Sequence, residues 1–368
     1  MVLSWSSQPL KAMYIAFFVA TSAVRLLLRL GYYLPNYLRP LPEWSLTTSV
    51  MVAMLRDFFD LVEATHMVGV LQADIKRGKD QYVRISPLEG AGVYTNVLKP
   101  TDVVKPVPLG ALWYPNTNAA NAVNKHKIVL HFPSGAFIYS HDPHIAGKEA
   151  ANLINKCIQP AKTLIVPYRI STSTSTVFPA AIQDAVTVYN HVLQSGIEPR
   201  NVILCGDSAG ANVVLALMRY LEAGDAELPL PEGAMVWSPW LDVTAEGICR
   251  YTKSRQLRTD CLTSTILQHG LCAYVPRNGV SDAAKPYISP LHHLFRTHIP
   301  IFIQTGTAEL FYDEMRIFAR EMSKVEGNTV RYHETVSAPH DILLGYRLFG
   351  FKPEAERAAS EACNFLGD

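Results

Sequence analysis

Asn201-Val202-Ile203-Leu204-Cys205-Gly206-Asp207-Ser208-Ala209-Gly210-Ala211-Asn212 decides how this chain is read. Residues 201–205 are a short apolar, β-branched run of strand character, and 211–221 carry the spacing of a packed helix. Between them stands G-x-S-x-G. Alone, that pentapeptide is weak, since chance supplies it in about one of every ten chains of this size. Strand, pentapeptide and helix in this order form a nucleophile elbow, a sharp turn that exposes the serine oxygen. Gly206 and Gly210 flank it because a side chain at either place would strike the neighbouring strand or helix. Ser208 is therefore the candidate nucleophile. Cys205, just before the elbow, reads as buried core.

A serine nucleophile needs a base, and the base needs an orienting acid. In a strand–elbow–helix chain the order is Ser, then Asp or Glu, then His, each on a loop after a strand. Strands are expected at 300–304 and 329–335. His298 precedes the first of these, at the wrong end for catalysis. His333 lies inside the second and reads as a sheet-face residue, whereas His340 follows it in the loop Ser337-Ala338-Pro339-His340-Asp341. His340 is the candidate base. Glu309 is the first carboxylate beyond 301–304 and is preferred as the acid, with Asp313 as the runner-up. Asp313 and Glu314 open the next helix, where acidic residues suit the helix dipole and need no further explanation.

Further out, apolar runs at 127–132, 163–168, 202–205, 234–237, 300–304 and 329–335 alternate with helical segments at 144–157, 179–194, 209–223, 312–325 and 353–365. Such alternation predicts an α/β fold, a mostly parallel sheet with helices on both faces. Residues 92–98 and 107–114 are expected to pair as antiparallel strands, and residues 1–85 read as helical. The stretch 244–285 breaks the alternation. Together with the N-terminal helices it is expected to cap the strand ends, giving an N-terminal helical segment (1–85) and a catalytic domain (86–368).

With 368 residues, 49% hydrophobic and 18% charged, the chain can build a large core. Its formal charge of +1 and the absence of a basic run argue against a nucleic-acid partner. Disordered and collagen-like structures are excluded by the same composition. The six cysteines, at 157, 205, 249, 261, 272 and 363, form no C-x-x-C pair, so neither a disulfide scaffold nor a thiolate zinc site is expected. No Asn-x-Ser/Thr acceptor occurs, and both features favour a reducing, intracellular compartment. His141-x-x-His144 has no third ligand and reads as surface or helix start, so no metal is expected.

Residues 12–24 are uncharged and mostly apolar, between Lys11 and Arg25. Those 13 residues fall short of the roughly 20 that a spanning helix needs. They fit the apolar region of a signal peptide, with Thr21-Ser22-Ala23 as a cleavage site. They fit equally an amphipathic helix that packs on the body or lies in a membrane interface, cytoplasmic or membrane-associated, its arginines snorkelling. Residues 12–30 are the expected route to any membrane association.

Several linked motifs now point to one family. Besides Gly206–Gly210 they are Pro167-Tyr168-Arg169, Phe178-Pro179-Ala180-Ala181, Ser238-Pro239-Trp240-Leu241-Asp242 and Ile288-Ser289-Pro290-Leu291, together with the Glu309-to-Asp313 spacing. Over residues 108–365 the sequence resembles the hormone-sensitive-lipase-like, or GDXG, branch of the α/β-hydrolases. The resemblance implies an α/β-hydrolase fold, no metal and no cofactor. It places the acid, usually Asp in that family, on Glu309. It also implies an oxyanion hole of backbone N–H groups at Gly135, Ala136 and Ala209. The family's His-Gly-Gly-Gly or His-Gly-Gly-Ala is here Pro133-Ser134-Gly135-Ala136, and backbone donors survive that change if the loop keeps its shape. By register His131 is not the family histidine and reads as a strand end. Residues 171–176 replace a shorter family segment and read as a polar loop.

The leading expectation is a serine hydrolase of carboxylesterase type acting on an ester or lactone of a hydrophobic small molecule, through Ser208, His340 and Glu309. The chain also resembles an outlying branch found in fungal natural-product pathways, which implies a role in secondary metabolism. Some members of that branch assist condensation, cyclisation or rearrangement, and the altered Pro133-Ser134 keeps that alternative open. A ligand-binding receptor on the same fold is a third reading, disfavoured by the retention of His340.

Overall fold

In the computed structural model, residues 5–66, 81–87, 92–115, 126–158, 161–224 and 226–367 are described. Among them eight strands pair into one sheet: β1 (Tyr82–Ile85), β2 (Leu109–Tyr114), β3 (Lys127–Phe132), β4 (Ala161–Ile165), β5 (Val202–Asp207), β6 (Gly233–Trp237), β7 (Ile301–Gly306) and β8 (Val330–Thr335). Their spatial order is β1-β2-β4-β3-β5-β6-β7-β8. β1, β2 and β4 run antiparallel to one another in turn. From β4 onward every neighbouring pair is parallel. All residues of β5, β6 and β7 are buried, as continuous apolar strands covered on both faces should be.

The sheet is flanked by helices. α4 (Ala180–Gln194) and α5 (Ala209–Glu222) pack on each other and, with α9 (Tyr312–Met322), cover one face. α3 (Lys148–Cys157) and α11 (Lys352–Gly367) pack together on the other, α3 on β4 and α11 on β7 and β8. The chain has the α/β-hydrolase fold.

The expected strand at 92–98 is not one. Its backbone groups are taken by a side chain: Thr95 N–H donates to the Tyr220 hydroxyl (2.7 Å), which donates to Val93 O (2.6 Å). Asn96 turns to φ 48°, and Asn96–Leu98 is a 3-10 turn. The antiparallel partner of β2 is instead the short alternating run Tyr82–Ile85, which ends the helical reading of residues 1–85 before its expected boundary. Residues 67–80 of that reading lie outside the described residues.

Before the sheet come α1 (Leu10–Tyr32) and α2 (Leu46–Thr65). Ser45 caps α2, its side chain accepting from Thr48 N–H at 2.9 Å. α2 is built into the body, packing on α7 (Ser264–Tyr274) and α10 (Ile342–Phe349), and Thr48 Oγ1 donates to Phe349 O at 2.8 Å. α1 packs on α2, and none of its residues is buried. The interruption at 244–285 holds α6 (Ala245–Tyr251) and α7 and leads into α8 (Lys285–Ile288).

Candidate active site

The turn from β5 into α5 places Ser208 at φ 52°, ψ −116°. A non-glycine residue held there costs on the order of 1–3 kcal/mol and persists only where the surroundings enforce it. They do so here by close approach. A Cβ on Gly206 would come within 2.5 Å of Gly210 O, and one on Gly210 within 1.9 Å of Phe132 O. Ser208 N–H donates to Trp237 O (2.9 Å) and Ser208 O accepts from Trp240 N–H (3.1 Å). Among the described residues Ser208 Oγ has no hydrogen-bond partner, and the residue is 5% exposed.

Glu309 and His340 are brought together from the loops after β7 and β8. His340 Nδ1 lies 2.9 Å from Glu309 Oε2. With Nδ1–H donated to the carboxylate, Nε2 is left as the basic nitrogen, a tautomer assigned by this bond. The other carboxylate oxygen, Oε1, accepts from Ser238 Oγ–H (2.7 Å) and from Gly306 N–H. Phe311 meets the imidazole ring at 5.3 Å and 89°. The two loops are stitched to each other by Ala308 N–H to Ala338 O (3.1 Å) and Ser337 N–H to Thr307 Oγ1 (2.7 Å).

The end of β6 holds both halves of the site. Trp237 carries the bond to Ser208, and the next residue, Ser238, accepts from Asp341 N–H at 3.1 Å while donating to Glu309. Asp260, from the 244–285 interruption, accepts from Leu310 N–H at 2.5 Å and so fixes the acid loop from the opposite side.

Burial pushes the Glu309 carboxyl up, against the hydrogen bond and charge of His340. For His340, burial disfavours the imidazolium. The hydrogen bond and charge of Glu309, backed by Asp260 and Asp207, nevertheless hold its pKa above the ordinary imidazole value.

Gly135, Ala136 and Phe137 take positive φ of 139°, 49° and 63° in the turn after β3. A Cβ on Gly135 would lie 1.9 Å from Tyr139 O, so the turn admits only glycine there. The backbone N–H groups of Gly135, Ala136 and Ala209 are buried, and among the described residues none donates to a protein acceptor. Buried unpaired donors are rare, which leaves these three N–H groups available to a ligand.

Behind this turn lies a cluster that the sequence did not disclose. His131, fully buried on β3, has Nε2 2.6 Å from Asp207 Oδ1, and Ser134 N–H donates to Asp207 Oδ2 at 2.9 Å. Burial opposes ionisation of Asp207, but the bonds from His131, Asp341 and Ser134 outweigh it and keep the carboxylate charged. Burial and the adjacent Asp207 push Asp341 well above the usual carboxyl range. His131 is thus more than a strand end: with Asp207 it ties the turn after β3 to the elbow.

Asp313 is placed away from the site, on the surface and 3.4 Å from Arg316. Glu314 is buried and accepts from Arg250 (2.7 Å) and Tyr251 of α6. His333 pairs with Glu361 of α11 at 2.7 Å. His141 lies against Tyr139 and His144 lies 3.5 Å from the Tyr114 hydroxyl; among the described residues no group of three ligands could hold a metal. Arg169 and Asp184, 2.9 Å apart, join the Pro167–Arg169 and Phe178–Ala181 motifs through a buried ion pair.

A family profile described as alpha/beta hydrolase fold, Abhydrolase_3, matches residues 129–344. The chain belongs to this hormone-sensitive-lipase-like family. Relatives of this α/β-hydrolase include an acetyl-hydrolase of Streptomyces hygroscopicus, 33% identical over 51% of this chain and 60% of the relative. An esterase of Acinetobacter venetianus is 30% identical over 51% of this chain and 59% of its own length. Steryl acetyl hydrolase 1 of Saccharomyces cerevisiae is 25% identical over 45% and 41%. The match to the first of these thus spans about three fifths of that relative. Among solved structures, an esterase of the bacterial hormone-sensitive lipase family superposes with a TM-score of 0.60 at 20% identity, covering 88% of this chain and 97% of that one. A hyperthermophilic esterase of the archaeon Pyrobaculum calidifontis gives 0.58 at 19%, covering 86% and 92%.

Proposed function

We propose that this α/β-hydrolase is a serine carboxylesterase that cleaves an ester or lactone of a small hydrophobic molecule. The observation that carries the reading is the convergence on the end of β6, where Ser208, Glu309 and the His340 loop are all held by Trp237 and Ser238. Ser208 Oγ attacks the carbonyl carbon as its proton passes to His340 Nε2. The carbonyl oxygen becomes an oxyanion held by the N–H groups of Gly135, Ala136 and Ala209. Collapse of this intermediate breaks the ester C–O bond, and His340 returns the proton to the leaving alkoxide, releasing the alcohol. Water then repeats the sequence on the acyl-serine and frees the acid. Glu309 orients the imidazole throughout and stabilises its charged form. The acetyl-hydrolases among the relatives support a short acyl group.

We place the substrate in secondary metabolism, on the resemblance to natural-product enzymes. Metabolite profiling of a strain lacking the protein tests that placement through the ester that accumulates. A reducing, intracellular setting is favoured by six free cysteines. Hydrolysis of p-nitrophenyl acetate and butyrate tests the activity. Ser208→Ala is expected to abolish turnover and covalent labelling by a fluorophosphonate while the fold melts at an unchanged temperature. Equal labelling of Ser208→Ala overturns the assignment of the nucleophile. Labelling of the parent chain without any ester turnover would overturn hydrolysis in favour of condensation or rearrangement at the same serine.

A further inference from the structure

We propose that the outer face of α1 is seated in a lipid bilayer, the helix lying along the membrane surface with the body of the protein above it. The inference is independent of the esterase reading. It rests on a helix that is amphipathic the wrong way round for water. Lys11, Thr21, Ser22, Arg25 and Arg29 are all half-covered, on the side that meets α2. The outward side presents Met13, Phe17, Val24, Leu27, Leu28 and Tyr32, each between 55% and 68% exposed. Their three- and four-residue spacing makes one continuous stripe, and no charged side chain interrupts it.

Most of these polar groups find protein partners on the covered side, in α1 itself and in α2. Arg29 grips Asp57 of α2 with two bonds of 2.6 Å, and Arg25 reaches the same carboxylate at 3.5 Å and Phe18 O at 2.7 Å. The Thr21 and Ser22 hydroxyls return to Phe17 O (2.8 Å) and Phe18 O (2.6 Å). None of these groups relies on water on the outward side.

Chemistry separates lipid from a protein partner. A protein interface carries a polar rim and about one hydrogen bond per 100–200 Å². The outward side of α1 offers a single polar atom, the Tyr32 hydroxyl. Aromatic side chains stand near both ends, with Trp5 41% exposed before the helix and Tyr37 75% exposed beyond it, as at a membrane interface. The helix has 23 residues, about 35 Å, longer than the 13-residue apolar stretch expected, and by length and composition alone it would suffice to cross a bilayer. Its packing on α2 through Arg25, Arg29 and Asp57 instead takes one side away from lipid, which favours the helix lying along the surface. Because Arg25 and Arg29 turn inward to Asp57 and stand away from the outward side, the attraction is chiefly apolar and needs no anionic lipid.

Flotation of the full chain with neutral phosphatidylcholine vesicles tests this at low and at molar salt. The protein is expected to float in both. Phe17→Asp with Leu28→Asp should lower the bound fraction by about tenfold or more, by placing two charges on the apolar stripe. Its thermal melting should stay that of the parent, since both residues lie off the core, and Thr21→Ala on the covered side should float like the parent. Four results would overturn the proposal: failure to float, flotation only with anionic vesicles at low salt, a discrete vesicle-free dimer that the double variant converts to monomer, or a cellular protein whose N-terminus begins beyond Val24.

Discussion

Asp341 and Asp207 are two carboxyls in contact, and a pair of like charges in a buried site ionises once. Asp341→Asn removes one of the two facing carboxyls and presents an amide N–H to Asp207, so turnover of p-nitrophenyl butyrate should stay within about threefold of the parent. Asp207→Asn keeps one acceptor oxygen but sets an NH2 where the other stood, so either Ser134 N–H or His131 Nε2 loses its acceptor, and an unpaired buried donor costs about 1–3 kcal/mol. Its kcat should fall at least about tenfold with a lower Tm. For the acid, Glu309→Gln should cut kcat by orders of magnitude, whereas Asp313→Asn on the surface should leave it near the parent's. The pH profile adds a second readout. The base works only when neutral, so kcat/KM rises with pH through the His340 pKa, which Glu309 holds above the ordinary imidazole value. Removing that charge lowers the pKa, so any residual Glu309→Gln activity should keep its acidic limb at lower pH than the parent. Reversed effects at 309 and 313 would show that the loop register is wrong.

Elements differ in how far sequence reaches them. The β5–elbow–α5 unit was legible because its constraints lie within a few residues: a turn, two close approaches and a packed helix. The 3-10 turn at 96–98 was not, since what removes that run from the sheet is the hydroxyl of Tyr220, on another helix. His131 was read as a strand end for the same reason, its partner Asp207 standing on the adjacent strand. Ser238 lay in a motif already noted, directly after a strand, and only tertiary structure reveals that its hydroxyl reaches the acid. The turn after β3, proposed to hold the oxyanion, allows a test at this scale. Gly135 is held by its close approach to Tyr139 and Ser134 by its own N–H, which Ser134→Gly retains although it gives up the hydroxyl's contacts with Asp207 and Asp341. Pro133→His with Ser134→Gly should therefore change p-nitrophenyl ester turnover by less than about tenfold, under about 1.4 kcal/mol in barrier. A gain of a hundredfold would mean that the native turn is detuned for hydrolysis.

Across the whole molecule, the alternation of strands and helices foretold the sheet, because each crossover is written locally in the apolar period. Which side of α1 meets the body was not written there, since a helix apolar on most of its circumference does not say which stripe its neighbour takes. The body reaches the site from every quarter: α2 begins beside Trp44, whose Nε1–H donates to Ser337 O (2.6 Å) in the histidine loop, and Asp260 enters from the 244–285 interruption. At the crossing of these parts stands the Ser238 hydroxyl, joined at once to Glu309 and to the residue after His340. Glu309 thus holds the imidazole with one carboxylate oxygen and this hydroxyl with the other. Loss of that one hydroxyl would therefore loosen the acid and the histidine loop in a single event, so that neither can drift without the other.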